Sequence, residues 1–159
     1  MKTIKIGDKE YTLEFTYEAA DCKDHVQNMF NVMTGAYMVR RAGSEDVDEA
    51  GAMMAMVDGS SEMVADIPRI CRIAFYAGLL ENHDASMDEA KDIMKQYMKE
   101  NKISFYRLFE DLKKWMEDDG FFDLSGLNEM IQQMGIAAEK AAEEIKNQNP
   151  DKKKSTSTK

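Results

Sequence analysis

Proline, cysteine, histidine and tryptophan are all scarce in this chain. Its 159 residues include two prolines, two cysteines, two histidines and one tryptophan. Cys22 and Cys71 are far apart and belong to no Cys-x-x-Cys or Cys/His spacing, so the sequence indicates neither a disulfide framework nor a zinc site. We expect both thiols to be buried as small hydrophobic side chains in a reducing compartment.

The chain also lacks the sequence motifs of common catalytic sites. A HExxH pair, a GxSxG elbow, a Walker loop and a GxGxxG turn are all absent. Neither histidine has a partner at metal-ligand spacing: His25 is predicted off the apolar stripe of its helix, and His83 in a loop. We therefore expect no enzymatic activity and no cofactor.

One segment resembles a calcium-binding loop in its length and its acidic ends. Asp118 to Glu129 spans twelve residues. Gly120 and Phe122 stand at its third and fifth positions, where oxygen ligands are needed, and Asp123 stands at the sixth, where the loop needs glycine. We therefore expect no metal site, and an acidic helix end instead.

Long apolar runs and excess positive charge are absent as well. No run of 18 apolar residues exists, and the N-terminus lacks the basic start and apolar middle of a signal peptide. The net charge is -9, and the last ten residues carry four lysines and one aspartate, which leaves about -12 for the rest. This acidity argues against nucleic acid as a partner. We expect a cytoplasmic protein with no membrane or nucleic-acid partner.

What the sequence does contain is an alternating N-terminal segment. Polar residues and the turn Gly-Asp-Lys-Glu separate its apolar residues, which are Ile4, Ile6, Tyr11, Leu13, Phe15 and Tyr17. This pattern predicts a β-hairpin over residues 4–17. Because an isolated two-stranded hairpin is only marginally stable in water, we expect helices to cover its apolar face.

The rest of the chain carries helix signals. They predict helices over about 17–39, 62–80, 87–99, 105–118 and 124–147, with a mobile connection over 40–61 that includes a short helix near 47–57. Pro68 predicts a kink or a fresh helix start. Ser86 and Glu89 form a capping box, Ser104 caps the next helix, and Gly120 ends it.

The predicted fold class is therefore mainly α, with an N-terminal β-hairpin packed on a bundle of about five helices. With 43% hydrophobic and 32% charged residues, the composition fits one globular domain, which we place over residues 1–147. The Lys/Ser/Thr-rich residues 148–159 cannot bury apolar surface, so we expect a disordered tail there.

Methionine is abundant, with 14 residues, and three of them cluster beside glycines as Met53, Met54 and Met56. Flexible methionine side chains repack around varied partners, so this cluster is a candidate protein-binding site, although filling of a helical core is equally open. Phe121 and Phe122 are a second candidate, with anchoring beneath a loop as the favoured alternative.

The final predicted helix has a narrow apolar seam. Its members recur at intervals of four and three residues: Leu127, Ile131, Met134, Ala138, Ala141 and Ile145. This is heptad spacing, which is typical of helix-to-helix contact. Packing back on the chain's own domain is favoured over an exposed seam for a partner or for a homo-oligomer, and both remain open.

The hairpin, read from Ile4 to Tyr17 as Ile-Lys-Ile-Gly-Asp-Lys-Glu-Tyr-Thr-Leu-Glu-Phe-Thr-Tyr, continues into Glu-Ala-Ala and a series of helices in an acidic chain. This order resembles the tail assembly chaperones of long-tailed bacteriophages and prophages of Gram-positive hosts, over most of residues 1–145. The resemblance implies a non-enzymatic protein of the host bacterial cytoplasm. Such a protein binds the tape measure protein, keeps it soluble while the tail tube assembles, and is absent from the mature virion.

Members of the family that this chain resembles commonly occur as a short form and a frameshifted longer form, and our hypothesis is that this chain is the short form. Consecutive lysine codons at Lys152, Lys153 and Lys154 could form a slippery run, so a frameshifted longer form is a further hypothetical partner, as is the tail tube protein. A tail that only solvates the chain is an equally open explanation of these lysines. Two alternatives to the chaperone are another phage structural protein, namely a head-tail connector or minor tail component, and a small helical regulator that binds proteins.

Overall fold

The computed structural model describes residues 1–37 and 49–148. Within these ranges the chain forms two strands and seven helices: β1 Lys2–Ile6, β2 Lys9–Leu13, α1 Tyr17–Asp21, α2 Lys23–Met33, α3 Glu49–Leu80, α4 Met87–Asn101, α5 Phe105–Asp118, α6 Phe121–Leu124 and α7 Leu127–Gln148. The predicted class, mainly helical with an N-terminal hairpin, is confirmed.

The hairpin is antiparallel, with Lys2 opposite Leu13 and Ile4 opposite Tyr11. Gly7 opens its turn at φ +57°, a left-handed conformation that glycine adopts without steric cost. The alternating apolar residues Ile4, Ile6, Leu13 and Phe15 are buried. The second strand ends at Leu13, earlier than predicted, and Tyr17 begins α1 with an exposed ring.

The single helix predicted over 17–39 is wrong, because the chain breaks into α1 and α2 at Cys22. Cys22 has an extended backbone (φ -72°, ψ 93°) and is half-buried rather than buried. The break lets α1 contact both α3 and α6 while α2 packs on α3. The second helix ends at Met33, ahead of Gly35 at φ +63°. Residues 38 and 39 lie outside the described ranges.

The central element is α3, a helix of 32 residues, which is about 48 Å long. The short helix predicted near 47–57 is confirmed over residues 49–57. The helix then continues through Gly59 and Pro68, so the break predicted before residue 62 and a fresh helix start at Pro68 are wrong. Residues 40–48 of the predicted connection lie outside the described ranges. The helix contacts β2, α1, α2, α4 and α5. Tertiary packing therefore outweighs the low helix propensity of its glycines and proline.

The core lies between the hairpin, the second half of α3, and α4 and α5. The helix α4 contributes Ala90 and Met94 to this core. The larger fully buried side chains come from the hairpin segment, α3 and α5, and they are Leu13, Phe15, Ile70, Phe75, Leu79, Leu108, Leu112 and Met116. The chain approaches α3 closely at Glu14, whose amide donates to the Gly78 carbonyl at 2.7 Å. The hairpin is thus covered by helices, as its marginal stability requires.

The predicted helix caps around α4 and α5 are confirmed. The Ser86 hydroxyl accepts from the Glu89 amide, and the Glu89 carboxylate accepts from the Ser86 amide in return. Ser104 accepts from the Arg107 amide at the start of α5. Gly120 follows that helix in the left-handed conformation, at φ +73°.

The short helix α6 was not predicted, and it places Phe121 and Phe122 in the core. Gly126, at φ +74°, separates it from the last helix, which begins at Leu127 rather than at residue 124. A single domain over 1–147 stays a prediction. Gln148, which we placed in a disordered tail, is instead the last residue of α7, and the other residues of that tail, 149–159, lie outside the described ranges. None of the described helices is both long enough and apolar enough to cross a membrane.

Candidate functional site

The first half of α3 carries exposed apolar side chains. Met53, Val57 and Val64 are four and seven residues apart, so they share one side of the helix. Met54 and Met56 flank them. These five residues, which we name the α3 stripe, have between 58% and 72% of their surface exposed.

The α3 stripe continues a helix face that is buried farther along. Val64 precedes Cys71 by seven residues, and Cys71 precedes Phe75 by four, so all three share the side of Met53 and Val57. Cys71 and Phe75 are fully buried under the hairpin and the later helices. The same apolar face is therefore core in the second half of α3 and exposed surface in the first half.

The surface beside this stripe is concave. Met53, Met54, Val57 and Asp58 line a shallow pocket of about 390 Å³. Three of its four lining side chains are apolar, and its methionines can adjust their shape to a bound group. A contiguous exposed apolar patch of this kind is typical of an interaction site.

Of the two roles predicted for the methionine cluster, core filling is wrong, because Met53, Met54 and Met56 are all exposed. Their binding of another protein stays a prediction. Sequence reasoning missed Val57 and Val64 as members of the same surface. Their spacing to Cys71 and Phe75 carried the signal, but Gly59, Ser60 and Ser61 suggested a helix break between them.

Phe121 and Phe122, which were predicted as a candidate protein-binding site, are buried. Their exposures are 0% and 8%, so their rings are closed to a partner protein and anchor α6 instead. The Phe121 ring packs against His25 at 4.7 Å and against Phe15 at 6.5 Å between centroids. The alternative of an anchor is therefore the arrangement observed.

The predicted seam of α7 divides into a covered start and an exposed continuation. Leu127 is buried and Ile131 is half-buried, whereas Met134 and Ala138 are exposed. Packing back on the domain is thus wrong for Met134 and Ala138. The side chains of Ala141 and Ile145 lie outside the described part of the chain.

A groove of about 600 Å³ lies where α7 begins. Its apolar walls come from Val26 and Phe30 of α2 and from Leu127 and Met130 of α7, and Met130 is half exposed. Leu127 is the only predicted site residue that lines it. Sequence reasoning missed the α2 side of this groove because that side depends on how two distant helices meet.

His25 is fully buried, so its predicted place off the apolar stripe is wrong. Its ring lies between Phe15 and Phe121, with centroids 5.8 and 4.7 Å away, and neither ring nitrogen has a hydrogen-bond partner among the described residues. Burial lowers the pKa of His25 from 6.5 to about 4, so the ring is neutral at pH 7. Within the described ranges, neither nitrogen is therefore hydrogen-bonded to a group that could take or give a proton.

His83 has a structural partner in the loop after α3, where it was predicted. Its Nε2 accepts a hydrogen bond from the Thr12 amide at 2.8 Å. Its ring packs beside Tyr11, with centroids 5.6 Å apart. The contact ties the end of the hairpin to the loop that follows α3.

A polar network joins α2 to α3. Arg69 donates to both Asp66 carboxylate oxygens at 2.7 Å, and to the Asn28 side-chain oxygen at 3.1 Å. The Tyr37 hydroxyl also donates to Asp66, at 2.7 Å. Hydrogen bonding to Arg69 holds the pKa of Asp66 below its ordinary value, while burial and Asp66 raise the pKa of Tyr37 to about 12. The Asp66 shift therefore comes mainly from its hydrogen bond with Arg69, and the Tyr37 shift mainly from burial.

Residues 118–129 do not form a loop around an ion. They span the end of α5, the short helix α6 and the first residues of α7. Across residues 1–37 and 49–148, no group of three or more His, Cys, Asp or Glu is placed to hold a metal ion. Comparison with protein-family models, with curated proteins and with solved structures gives no match to this chain.

Proposed function

We propose that this chain is a phage tail assembly chaperone, which binds the tape measure protein and keeps that long helical protein soluble while the tail tube assembles. The observation that supports the proposal best is the α3 stripe, an apolar helix face that leaves the core and stays exposed. The order of hairpin and helices, which resembles this family, supports it independently.

An exposed apolar helix face is suited to a helical client. Amphipathic helices bind other helices or grooves through apolar residues at intervals of three, four and seven. Met53, Val57 and Val64 follow such intervals, and methionine adapts to clients of varied sequence. The free energy gained by covering these side chains would favour the complex.

The negative charge of the chain suits the second part of this role. Charge repulsion between complexes opposes their aggregation, and the chain carries -9 overall. We further propose the host bacterial cytoplasm as its location, absence from the mature virion, and the tail tube protein and a frameshifted longer form as additional partners.

Co-expression with the tape measure protein tests this function. The chain should raise the soluble fraction of the tape measure protein severalfold and should co-purify with it. Equal solubility of the tape measure protein without the chain would overturn the proposal. Presence of the chain in purified virions would instead favour a connector or minor tail component.

Paired variants test whether the α3 stripe is the client site. Met53→Asp with Val57→Asp places charges on the stripe, and both residues are exposed, so folding should be retained. Met130→Asp with Met134→Asp is a control on α7, where both side chains are about half exposed. Loss of client solubility only in the first pair supports the stripe, whereas loss only in the second would assign the client to α7.

A further inference from the structure

The last helix is exposed on all sides beyond Ile131. Every residue from Gln132 to Lys140 is exposed, although these residues belong to the 22-residue helix α7. A helical segment of this length is marginal alone in water, and most helices in proteins are stabilised by packing of an apolar face. An apolar side of α7 would therefore gain stability from contact with another helix.

One side of α7 is apolar. Met134 follows Met130 by four residues and Leu127 by seven, so these three residues lie on one side of the helix. Met130 and Met134 are each about half exposed. At helical spacing, further apolar residues continue this side along the helix: Ala137, Ala138, Ala141 and Ile145. We name the side that carries these seven residues the α7 face.

Among the described side chains of α7, the charged ones lie on the opposite side. Ile136 follows Met134 by two residues, which is about 200° around the helix. Glu129 precedes Ile136 by seven residues and shares its side. Glu139 and Lys140 follow Ile136 by three and four residues, so they lie there too. In the part of α7 whose side chains are described, the α7 face therefore carries no charge that would oppose an identical face.

The α7 face begins in the groove at the start of the helix. Leu127 and Met130 line this groove together with Val26 and Phe30 of α2, and its volume is about 600 Å³. The groove therefore continues the apolar surface of α7 onto α2. A helix that packs along the α7 face would reach this groove with one of its ends.

The α7 face matches a second copy of itself in the antiparallel direction. When Met130 is placed opposite residue 145 of a second copy, Met134 comes opposite residue 141, and residues 137 and 138 of the two copies meet at the centre. Met134 thus faces an alanine position, and alanine positions face each other at the centre. Alternation of large and small residues across facing positions allows two helices to interdigitate. The same register brings the end of each helix to the groove of the other copy.

We propose that α7 is a dimerisation helix, which pairs in the antiparallel direction with α7 of a second copy along the α7 face. The paired length from Met130 to residue 145 is about 22 Å. Because both copies use the same face, the contact is closed and the assembly stops at two chains. The contact uses no residue of the α3 stripe, so the inference does not depend on the proposed chaperone function.

Sedimentation equilibrium of the full chain tests the dimer. Over about 1–200 µM chain, the mass should rise reversibly from one chain to two, with a dissociation constant in the micromolar range. A chain that stays monomeric throughout would overturn the proposal. A mass that keeps rising beyond two chains would also overturn it, because it would indicate a contact between two different surfaces.

Two variants on opposite sides of α7 locate the contact. Met134→Asp places a charge on the α7 face and should weaken dimerisation at least about tenfold. Ile136→Asp is the matched control, because the two side chains are 50% and 46% exposed, and it should leave the dissociation constant unchanged. Both residues are exposed, so each variant should fold, which circular dichroism checks. Equal effects of the two variants would contradict pairing along the α7 face.

Disulfide crosslinking tests the antiparallel direction, in a Cys22→Ser background that leaves only the buried Cys71. In the proposed register, residue 138 lies beside residue 138 of the second copy, whereas residue 130 lies about 22 Å from its counterpart along the helix axis. A disulfide needs Cα atoms less than about 7 Å apart. Mild oxidation should therefore link two copies of an Ala138→Cys protein and leave a Met130→Cys protein unlinked. Crosslinking of both would indicate a parallel pair, and crosslinking of neither would exclude this contact; either result would overturn the proposal.

Discussion

Phe15 packs against Gly78 so closely that a β-carbon at residue 78 would lie 2.8 Å from the Phe15 Cζ. The same hypothetical β-carbon would lie 3.3 Å from the Leu13 β-carbon. The Phe15 ring is fully buried, so moving it would disturb the core side chains around it. The absence of a side chain at Gly78 therefore allows Phe15 and Leu13 to pack directly against the backbone of α3.

Gly78→Ala should destabilise the protein by about 1–3 kcal/mol, because overpacking exceeds the gain in helix propensity. Gly135→Ala in α7 is the matched control, since a β-carbon there would meet no atom within 4 Å. Gly135→Ala should raise the free energy of unfolding by up to about 1 kcal/mol or leave it unchanged. Urea denaturation measures both, and a Gly78→Ala protein as stable as the parent would show that the hairpin can shift.

His25 should make stability depend on pH in the mildly acidic range. The folded protein keeps this ring neutral with a pKa of about 4, whereas the unfolded chain protonates it near 6.5. The stability that the neutral ring provides is fully present above pH 6.5 and is lost as the pH falls toward 4. The free energy of unfolding should fall by at most about 3 kcal/mol over that range.

Denaturation of the parent and of His25→Leu at pH 7.5, 6 and 5 isolates this effect from that of the carboxylates. The parent should lose more stability than the variant between pH 7.5 and pH 5. Parallel pH profiles of the two proteins would contradict the assignment, whatever the variant's absolute stability.

The two cysteines should differ in their reaction with thiol reagents. Burial raises the pKa of Cys71 to about 12, and its thiol donates to the Phe105 carbonyl at 3.4 Å, whereas Cys22 is half-buried. Because the thiolate is the reactive form, native protein should label at Cys22 and leave Cys71 unmodified until it unfolds. Cys22→Ser should therefore abolish rapid labelling, and a persistent fast phase in that variant would be the contrary result.

Tyr37→Phe should lower the free energy of unfolding by about 1 kcal/mol, because it removes a buried hydroxyl that donates a hydrogen bond to Asp66. Tyr106→Phe is the control, because this side chain is well exposed. The control should change the free energy of unfolding by no more than about 0.5 kcal/mol. Thermal or urea unfolding compares the two. A smaller effect at residue 37 than at residue 106 would mean that the network adds little stability.

Local chemistry made parts of the fold predictable from sequence. Ser86 and Glu89 satisfy each other's amides within one helical turn, so their capping box needs no distant residue. The break at Cys22 and the continuity of α3 depend instead on packing between elements that are far apart in sequence. Local patterns cannot report such packing, and both were predicted wrongly.

The candidate site was predictable only in part for the same reason. Residue types indicated that Met53, Met54 and Met56 could serve a core or a surface, but the choice depends on whether other elements reach that part of α3. His25 is the opposite case: a polar ring is buried because Phe121, from a helix distant in sequence, packs against it. Burial is a property of the assembled fold, whereas spacing is a property of one element.

The continuity of α3 has a consequence for how its exposed half forms. A helical segment as short as residues 49–64 would be marginal alone in water, and it contains two glycines and two serines. The buried half removes this obstacle, because it provides the first hydrogen-bonded turns and the exposed half needs only to elongate from them. We therefore expect the core to nucleate the helical segment that carries the α3 stripe, so that a change in the core also affects that surface.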